Sequence, residues 1–153
     1  MSIDDLWYKN AIIYCLDVEK FQDTDGDGVG DFDGLARRLD YLAGIGVTCI
    51  WLQPFYGSPN RDNGYDVSDY YAVHEKHGSL GDYASFMNHA RSLGLRVIVD
   101  LVVSHTSIDH PWFQSARSSP KSPHRDWYVW SKERPKNHRD GVVFPGEQMT
   151  TWA

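Results

Sequence analysis

The sequence has 153 residues, of which 41% are hydrophobic and 14% aromatic, and its formal net charge is −6. This acidic balance argues against nucleic acids and anionic membrane surfaces as partners, because both attract clustered Lys and Arg side chains. No apolar stretch is long enough to span a bilayer, and the N-terminal segment lacks the basic start and apolar core of a signal peptide. We therefore expect a soluble, cytoplasmic protein.

Two short apolar runs predict the first two strands. Residues 11–16 and 47–52 are rich in β-branched and aromatic side chains, as expected of strands that are covered on both faces. The segment between them predicts a helix over residues 32–43, because its leucines recur at helical spacing and Gly44 can end it. The leucines on this face are Leu35, Leu39 and Leu42.

Each of these strands carries one cysteine. Neither Cys15 nor Cys49 lies in a CxxC motif or beside a candidate base. A disulfide between them is the alternative, but disulfides are rare in the cytosol. We expect both residues to be buried, reduced thiols.

The middle of the chain repeats the strand–loop–helix order. Residues 53–80 form a polar and aromatic loop that is too long for a plain connector, which is typical of a functional loop. A helix is predicted over residues 82–93, with Asp82 near its N-cap, and a very apolar strand over residues 96–103. Alternating strands and helices predict an α/β fold with a parallel sheet and right-handed crossovers.

The remaining residues, 104–153, break this alternation. They are rich in Pro, Ser, His and Arg, and we expect an irregular segment with only short strands or turns. Three strands do not close a (β/α)₈ barrel, which needs about 250 residues. The sequence ends at residues 151–153 without a capping element, as an interrupted domain would.

An acidic loop, residues 23–31, has the spacing of a metal site. Its possible ligands alternate along the loop: Asp23, Asp25, Asp27, the backbone carbonyl of Val29, and Asp31. Alternating oxygens suit a hard cation, but an EF-hand would have Glu at position twelve, where Gly34 stands. We expect a structural Ca²⁺ or Mg²⁺ site and no calcium sensor; the alternative is a solvated acidic loop without metal.

A second group of candidate residues follows the second strand. Tyr65 and Asp66 lie in the segment 62–70, and loops at the carboxyl ends of parallel strands commonly build active sites. An aromatic ring beside a carboxylate suits a sugar, since the ring covers an apolar pyranose face and the carboxylate accepts from hydroxyl groups. The alternative is a turn with an ordinary exposed aspartate.

The third group belongs to the third predicted strand. Asp100 lies within its apolar run, where a charge is costly unless it is hydrogen-bonded or paired. His105 falls just past the strand end, at the same edge of the sheet as Tyr65. A satisfied structural pair is the alternative. The sequence contains no serine elbow, phosphate-binding glycine loop or HExxH motif.

Together these segments resemble glycoside hydrolase family 13, the α-amylase family. The resemblance rests on three motifs, at residues 23–31, 64–66 and 100–105. Within the family it is closest to the trehalose synthase-like and oligo-1,6-glucosidase-like branch. The segments that indicate this branch are residues 105–113, 127–131 and 142–146.

The resemblance implies a role for each candidate residue. Asp66 is similar to the aspartate that holds hydroxyls of the glucose at subsite −1, and Tyr65 to the tyrosine that stacks on that ring. His105 is similar to the histidine that bonds the 6-hydroxyl of the same sugar. Asp100 is similar to an aspartate that organises the site through partners further along the chain, and the acidic loop to the family's metal loop.

The resemblance also implies a fold and a reaction. Residues 1–103 would be the first three βα units of a (β/α)₈ TIM barrel, and residues 104–153 the start of the inserted B domain. The substrate would be an α-glucoside, with no organic cofactor. The catalytic nucleophile and the acid/base group would lie beyond Ala153, on the remainder of the barrel, so we expect this chain alone to be inactive.

One residue departs from the family pattern. Ser104 stands where the family usually has an asparagine that helps to ligate a separate calcium ion. This puts that second ion in doubt and leaves the acidic loop unaffected. An alternative from a different functional class is a non-catalytic remnant that binds metal or carbohydrate.

Overall fold

The fold is described from a computed structural model, which gives the backbone of residues 3–138 and the side chains of residues 6–138. The chain divides into two compact units, residues Met1–Ser107 and Ile108–Ala153. The motif at residues 142–146 lies outside the described residues, as does the end of the segment predicted to be irregular. None of the described helices is long and apolar enough to cross a membrane.

The first unit contains five strands and three α-helices. The strands are β1 (Ile13–Leu16), β2 (Cys49–Leu52), β3 (Tyr56–Gly57), β4 (Asp69–Val73) and β5 (Arg96–Val99). The helices are α1 (Phe32–Arg37), α2 (Leu39–Gly44) and α3 (Leu80–Ser92), and short 3₁₀ segments lie at Ile3–Asn10, Val18–Lys20 and Glu75–His77. The second unit contains α4 (Pro111–Ser118) and a 3₁₀ turn at Arg125–Trp127.

Three of the strands form a parallel sheet in the order β1-β2-β5. Its register aligns Ile13 with Cys49 and Cys49 with Arg96. This arrangement confirms the predicted α/β fold, and it brings the carboxyl ends of β2 and β5 to the same edge. The long loop after β2 is less irregular than expected, because β3 and β4 pair there as an antiparallel ribbon.

The helix predicted over residues 32–43 is interrupted. Arg38 separates α1 from α2 with φ −104° and ψ 0°, so the two helices share a residue as C-cap and N-cap. The apolar face was predicted correctly, since its three leucines are at most 2% exposed. The leucine spacing carries no sign of the break.

The sheet buries one face and leaves the other open. Leu16, Ile50 and Leu52 point towards the helices, where they pack in one core with Leu35 and Phe86. The alternate residues point the other way, so Trp51 is 38% and Ile98 36% exposed. The prediction that these strands are covered on both faces is therefore wrong for the described part of the chain.

Cys15 lies on the open face. The register places it beside Trp51, and its thiol is exposed. The prediction that it is buried was wrong, because an apolar run does not reveal which face lacks a covering layer. Cys49 is fully buried and both cysteines are free thiols, as expected.

Two element boundaries and one helix also differ from the sequence analysis. The third predicted strand ends at Val99, so Asp100 is the first residue after β5 and does not lie within it. Helix α3 begins earlier than predicted, with Ser79 as N-cap and Asp82 as its reciprocal partner in a capping box. Helix α4 lies in the segment predicted to have only short strands or turns, where His110 caps it and Pro111 opens it.

Candidate functional site

The acidic loop is folded around the side chain of its first aspartate. Asp23 Oδ1 accepts hydrogen bonds from the backbone N–H groups of Asp25 (3.0 Å) and Gly26 (2.7 Å). Asp23 Oδ2 accepts from the N–H of Gly28 at 2.9 Å. The donors, Gly26 first and then Gly28, lower the pKa of Asp23. The carboxylate therefore stays ionised and fixes the turn.

The first three aspartates of this loop converge. One oxygen from each of Asp23, Asp25 and Asp27 lies within 4.8 Å of the others. In the part of the chain that the structure describes, this is the one group of three or more such side chains close enough to share an ion. Ca²⁺–oxygen distances are about 2.3–2.6 Å, so oxygens on opposite sides of one ion are about 5 Å apart, and this donor set fits.

Asp31 has a different place from the other three aspartates. It is the N-cap of α1, and its Oδ1 accepts from the N–H of Gly34 at 2.7 Å. Its Oδ2 accepts from the N–H (2.9 Å) and the hydroxyl (2.7 Å) of Thr24. Burial opposes ionisation of Asp31, but these hydrogen bonds outweigh it and lower its pKa. Its role as a metal ligand, like that of the Val29 carbonyl, stays a prediction.

A tight turn precedes Tyr65 and Asp66. Asn60 and Asn63 have positive φ angles of 57° and 51°, and Gly64 follows at 85°. A Cβ at Gly64 would lie 2.7 Å from the carbonyl oxygen of Pro54, so only glycine fits this position.

The carboxylate of Asp66 closes this turn. Its Oδ1 accepts from the hydroxyl of Ser58 at 2.8 Å and from the N–H of Asp62 at 3.2 Å. Its Oδ2 accepts from the N–H of Arg61 at 3.0 Å. A carboxylate offers about four acceptor positions. Among the described residues these contacts use three, which leaves one acceptor position on Oδ2.

Asp100 is the centre of a second group of hydrogen bonds. Tyr65 Oη donates to its Oδ2 at 2.7 Å, and Trp51 Nε1 donates to its Oδ1 at 2.9 Å. Tyr56 Oη donates to its backbone carbonyl at 3.1 Å. We call Trp51, Tyr56, Tyr65 and Asp100 the Asp100 cluster. Burial, together with the hydrogen bond and charge of Asp100, raises the pKa of Tyr65 to about 12.

The ring of His105 contacts this cluster at the backbone carbonyl of Tyr65. Its Nε2 lies 3.0 Å from the carbonyl oxygen of Tyr65, and its Nδ1 lies 3.0 Å from the hydroxyl of Ser104. The hydroxyl of Tyr70 donates its one proton to the carbonyl of Val102 at 2.6 Å, and the carbonyl oxygen of His105 lies 3.1 Å from the same oxygen. The segment after β5 is thereby tied to the ribbon that follows β2.

The structure brings together three of the four residues predicted for this site. Tyr65, Asp100 and His105 are linked by direct hydrogen bonds, and Asp66 follows Tyr65 in the chain. The sequence analysis missed Trp51 and Tyr56. A signal for Trp51 was present, because an indole N–H in an apolar strand needs a partner, but periodicity does not say which acceptor it reaches.

One cleft in the described part of the chain lies beside the turn that precedes Tyr65. It has a volume of about 260 Å³ and is lined by, among others, Asp17, Glu19, Asn60, His74 and Gly64. None of Tyr65, Asp66, Asp100 and His105 lines it. The cleft touches the Asp100 cluster only through Tyr56, which is among its lining residues.

Known proteins resemble this chain along most of its length. The family description "Alpha amylase, catalytic domain" matches residues 14–152. The trehalose synthase of Thermus thermophilus is 51% identical over 150 residues, which are 98% of this chain and 15% of that protein. An alpha-glucosidase of Candida albicans is 47% identical over 128 residues, which are 84% of this chain and 22% of that protein.

A solved structure agrees with these sequence matches. A crystal structure of a variant of the trehalose-6-phosphate hydrolase from Bacillus licheniformis superposes with a TM-score of 0.80 at 45% identity. The match covers 82% of this chain and 22% of that one. The chain thus spans between 15% and 22% of the length of these three relatives.

Proposed function

The chain belongs to the α-amylase family, and from this premise we propose that the full-length protein cleaves or rearranges α-linked glucosides such as maltose or trehalose. Strands β1, β2 and β5 are part of the N-terminal portion of that family's (β/α)₈ barrel. Relatives in the family include trehalose synthases and alpha-glucosidases, so transfer, isomerisation and hydrolysis all remain within the proposal.

One observation carries the proposal for the site. Tyr65 is held by its hydroxyl on Asp100 at 2.7 Å and by its carbonyl on His105 at 3.0 Å. Its backbone N–H donates to the carbonyl of Asp62 at 3.0 Å, so all three polar groups of Tyr65 are engaged. Its ring is therefore fixed, and its face is what it can offer to a ligand. A fixed aromatic face suits the apolar side of a glucose ring, and stacking costs less entropy on a ring that is already ordered.

Polar contacts would orient the sugar over this face. Asp66 keeps one acceptor position on Oδ2, which can receive one ligand hydroxyl. Both ring nitrogens of His105 are engaged, by the Tyr65 carbonyl and the Ser104 hydroxyl, so a sugar hydroxyl would have to replace one of these contacts. We assign hydroxyl binding to Asp66 and stacking to Tyr65, and His105 positions the backbone of Tyr65.

We assign neither Asp66 nor Asp100 to bond cleavage. A retaining mechanism needs one carboxylate as nucleophile and a second as proton donor to the leaving oxygen. Asp66 accepts three hydrogen bonds from its own turn, and each oxygen of Asp100 accepts one, from Trp51 or from Tyr65, so both carboxylates already serve to hold the local structure. We propose that the nucleophile and the acid/base group come from parts of the full-length protein other than residues 1–153.

The acidic loop would hold a structural Ca²⁺ or Mg²⁺ ion. Asp23, Asp25 and Asp27 supply oxygens at a spacing that one cation spans. The ion would offset the mutual repulsion of these carboxylates and rigidify the turn before α1. A chelator should therefore lower the melting temperature of the full-length protein, and added Ca²⁺ or Mg²⁺ should restore it. An unchanged melting temperature in a metal-depleted sample would contradict the ion.

The stacking role is tested by two substitutions of one residue. Tyr65→Phe keeps the ring and removes the hydroxyl, whereas Tyr65→Ala removes both. We expect Tyr65→Ala to lower kcat/KM for maltose, trehalose or an aryl α-glucoside roughly 10- to 100-fold, since ring burial contributes about 1–3 kcal/mol. Tyr65→Phe should lose less than Tyr65→Ala.

Two results would contradict the proposed function. Full-length protein that releases or transfers no glucose from any of these substrates would exclude the reaction class. Turnover by a purified chain of residues 1–153 alone would show that its own carboxylates suffice, and the assignment of roles to Asp66 and Asp100 would be wrong. A non-catalytic carbohydrate-binding protein would instead bind these sugars without turnover.

A further inference from the structure

The imidazole of His105 is held from both ring nitrogens. Nε2 lies 3.0 Å from the backbone carbonyl oxygen of Tyr65, which is forty residues away in the sequence. Nδ1 lies 3.0 Å from the hydroxyl oxygen of Ser104, the residue immediately before His105. A ring with a partner on each nitrogen cannot turn about its Cβ–Cγ bond without losing both contacts.

The partners decide which nitrogen carries the proton. A carbonyl oxygen can only accept, so the contact with Tyr65 requires a hydrogen on Nε2. A neutral imidazole has one N–H, so Nδ1 is then an acceptor, and the hydroxyl of Ser104 must be the donor to it. The opposite tautomer would place the lone pair of Nε2 against those of the Tyr65 carbonyl.

We propose that Ser104 is a positioning residue, which orients His105 as an Nε2–H donor and through it fixes the backbone of Tyr65. The three residues form a chain that begins at Ser104 Oγ–H, passes through the ring, and ends at the Tyr65 carbonyl. Tyr65 is thereby held at its backbone by this chain and at its hydroxyl by Asp100. The importance of these two hydrogen bonds for sugar binding rests on the proposed function, but the tautomer of His105 does not depend on it.

The direct test is ¹⁵N NMR of histidine-labelled full-length protein at alkaline pH, where imidazoles are neutral. His105→Gln identifies the signals of His105 by their loss. We expect the unsubstituted protein to show a protonated Nε2 and an unprotonated Nδ1 that accepts a hydrogen bond. Ser104→Ala should shift the Nδ1 resonance, because its donor is lost, and Ser104→Thr, which keeps a hydroxyl, should restore it.

A matched control removes a similar hydroxyl elsewhere. Ser85 lies on α3 and donates to the carbonyl of Gly81 at 3.0 Å, so Ser85→Ala deletes one exposed hydrogen bond outside the site. It should leave the His105 signals unchanged. The proposal is overturned if Ser104→Ala leaves them unchanged too, or if Nδ1 proves to be the protonated nitrogen in the unsubstituted protein.

Kinetics then separate positioning from a general loss of structure. A neutral hydrogen bond contributes about 1 kcal/mol, so Ser104→Ala should raise KM for an α-glucoside roughly two- to tenfold with little change in kcat. Ser104→Thr should recover most of this loss and Ser85→Ala should show none. If the full-length protein has no such activity, the proposed function fails while the NMR result still decides on Ser104.

Discussion

The acidic loop and the Asp100 cluster are both held by carboxylates, but they are assembled over very different distances along the chain. In the acidic loop each of these contacts joins residues two to seven positions apart, from Asp23–Asp25 to Thr24–Asp31. In the Asp100 cluster the Tyr65, Tyr56 and Trp51 contacts to Asp100 span 35, 44 and 49 positions. One region is specified locally and the other only by the complete sheet.

This difference has a consequence for stability. Closing a loop costs more entropy as it lengthens, so contacts across 35 to 49 residues form only when β2 and β5 are already paired. The acidic loop can adopt its turns as soon as its own residues are ordered. Substitutions in the loop should therefore act through the local backbone, and those in the Asp100 cluster through the linkage between strands.

The largest effect is expected where the acidic loop meets α1. A Cβ at Gly34 would lie 2.1 Å from the carbonyl oxygen of Gln22. The N–H of Gly34 is bonded to the side chain of Asp31, and the carbonyl of Gln22 accepts from the N–H of Asp31 at 3.0 Å, so a shift of either backbone disturbs one of these bonds. We expect Gly34→Ala to lower the free energy of unfolding by about 3 kcal/mol or more. Denaturant unfolding monitored by circular dichroism measures this.

Gly44 provides the matched control for that change. It ends α2, and no atom lies within 4 Å of the position its Cβ would occupy. Gly44→Ala should stabilise the protein by up to about 1 kcal/mol, because alanine favours helix. If Gly34→Ala and Gly44→Ala behaved alike, the acidic loop would not be as closely packed against Gln22 as described.

The next effect concerns the centre of the Asp100 cluster. Asp100→Ala removes the acceptor of both Tyr65 and Trp51, and hydrogen bonds to a charged group contribute about 1.5 kcal/mol each, so we expect a loss of about 2–3 kcal/mol. The pKa of Tyr65, about 12 in the intact cluster, should fall but stay above its ordinary value, because burial remains its first cause.

Absorbance titration of tyrosinate measures this change. The chain has nine tyrosines, so the Tyr65 component is the difference from a Tyr65→Phe variant. Asp100→Ala should move that component to lower pH. If the Tyr65 component did not move, Tyr65 and Asp100 would not interact, and the Asp100 cluster would lack one of its long-range hydrogen bonds.

A smaller effect is expected from the indole donor. Trp51→Phe keeps an aromatic ring on β2 and removes only the N–H that reaches Asp100 at 2.9 Å. Because Trp51 is 38% exposed, we expect a loss of about 1 kcal/mol, near the lower end for such bonds. Trp127→Phe, at an indole that is 60% exposed and outside the site, should cost less in the same unfolding assay.

The smallest effect is a pH dependence from Asp31. Its pKa is lowered in the folded protein, so the unfolded chain binds a proton at higher pH than the folded chain does. The stabilisation is therefore complete above the unfolded pKa of about 3.9 and is lost as the pH falls through the lower folded pKa. Asp31→Asn should reduce the dependence of the free energy of unfolding on pH below about pH 4, as measured by denaturant unfolding at a series of pH values.

Asp33, two residues further along α1, gives the control. Its exposed carboxylate pairs with Arg37, one helical turn away, at 2.5 Å. Asp33→Asn should leave most of the acid sensitivity in place, since exposed pairs contribute little. If Asp31→Asn and Asp33→Asn reduced the pH dependence of the free energy of unfolding equally, the acid sensitivity would belong to the whole helix and not to its N-cap.

The separation of contacting residues along the chain also explains which features the sequence could predict. The parallel α/β order and the buried leucines of α1 and α2 follow from short apolar patterns, and the structure confirms them. The convergence of Asp23, Asp25 and Asp27 also follows from local spacing. The same spacing cannot show that Asp31 caps α1, because both roles use an oxygen at the end of the loop.

Other features depend on information that a local pattern lacks. Trp51 could be expected to need a partner, but the register that places β2 beside β5 was needed to identify Asp100. The exposure of Cys15 depends on what covers the sheet. Helix α4 was missed although Pro111 at its first position is a good start signal, because the many serines and prolines around it indicated irregular structure.

The exposed thiol of Cys15 can be used to measure whether the open face of the sheet is covered. Of the two thiols, Cys15 is exposed on that face, while Cys49 is fully buried and burial raises its pKa, which disfavours the reactive thiolate. An alkylating reagent should therefore modify Cys15 first. The interior of a closed barrel is filled with side chains, so slow alkylation of Cys15 in the full-length protein would show that this face of the sheet is covered there.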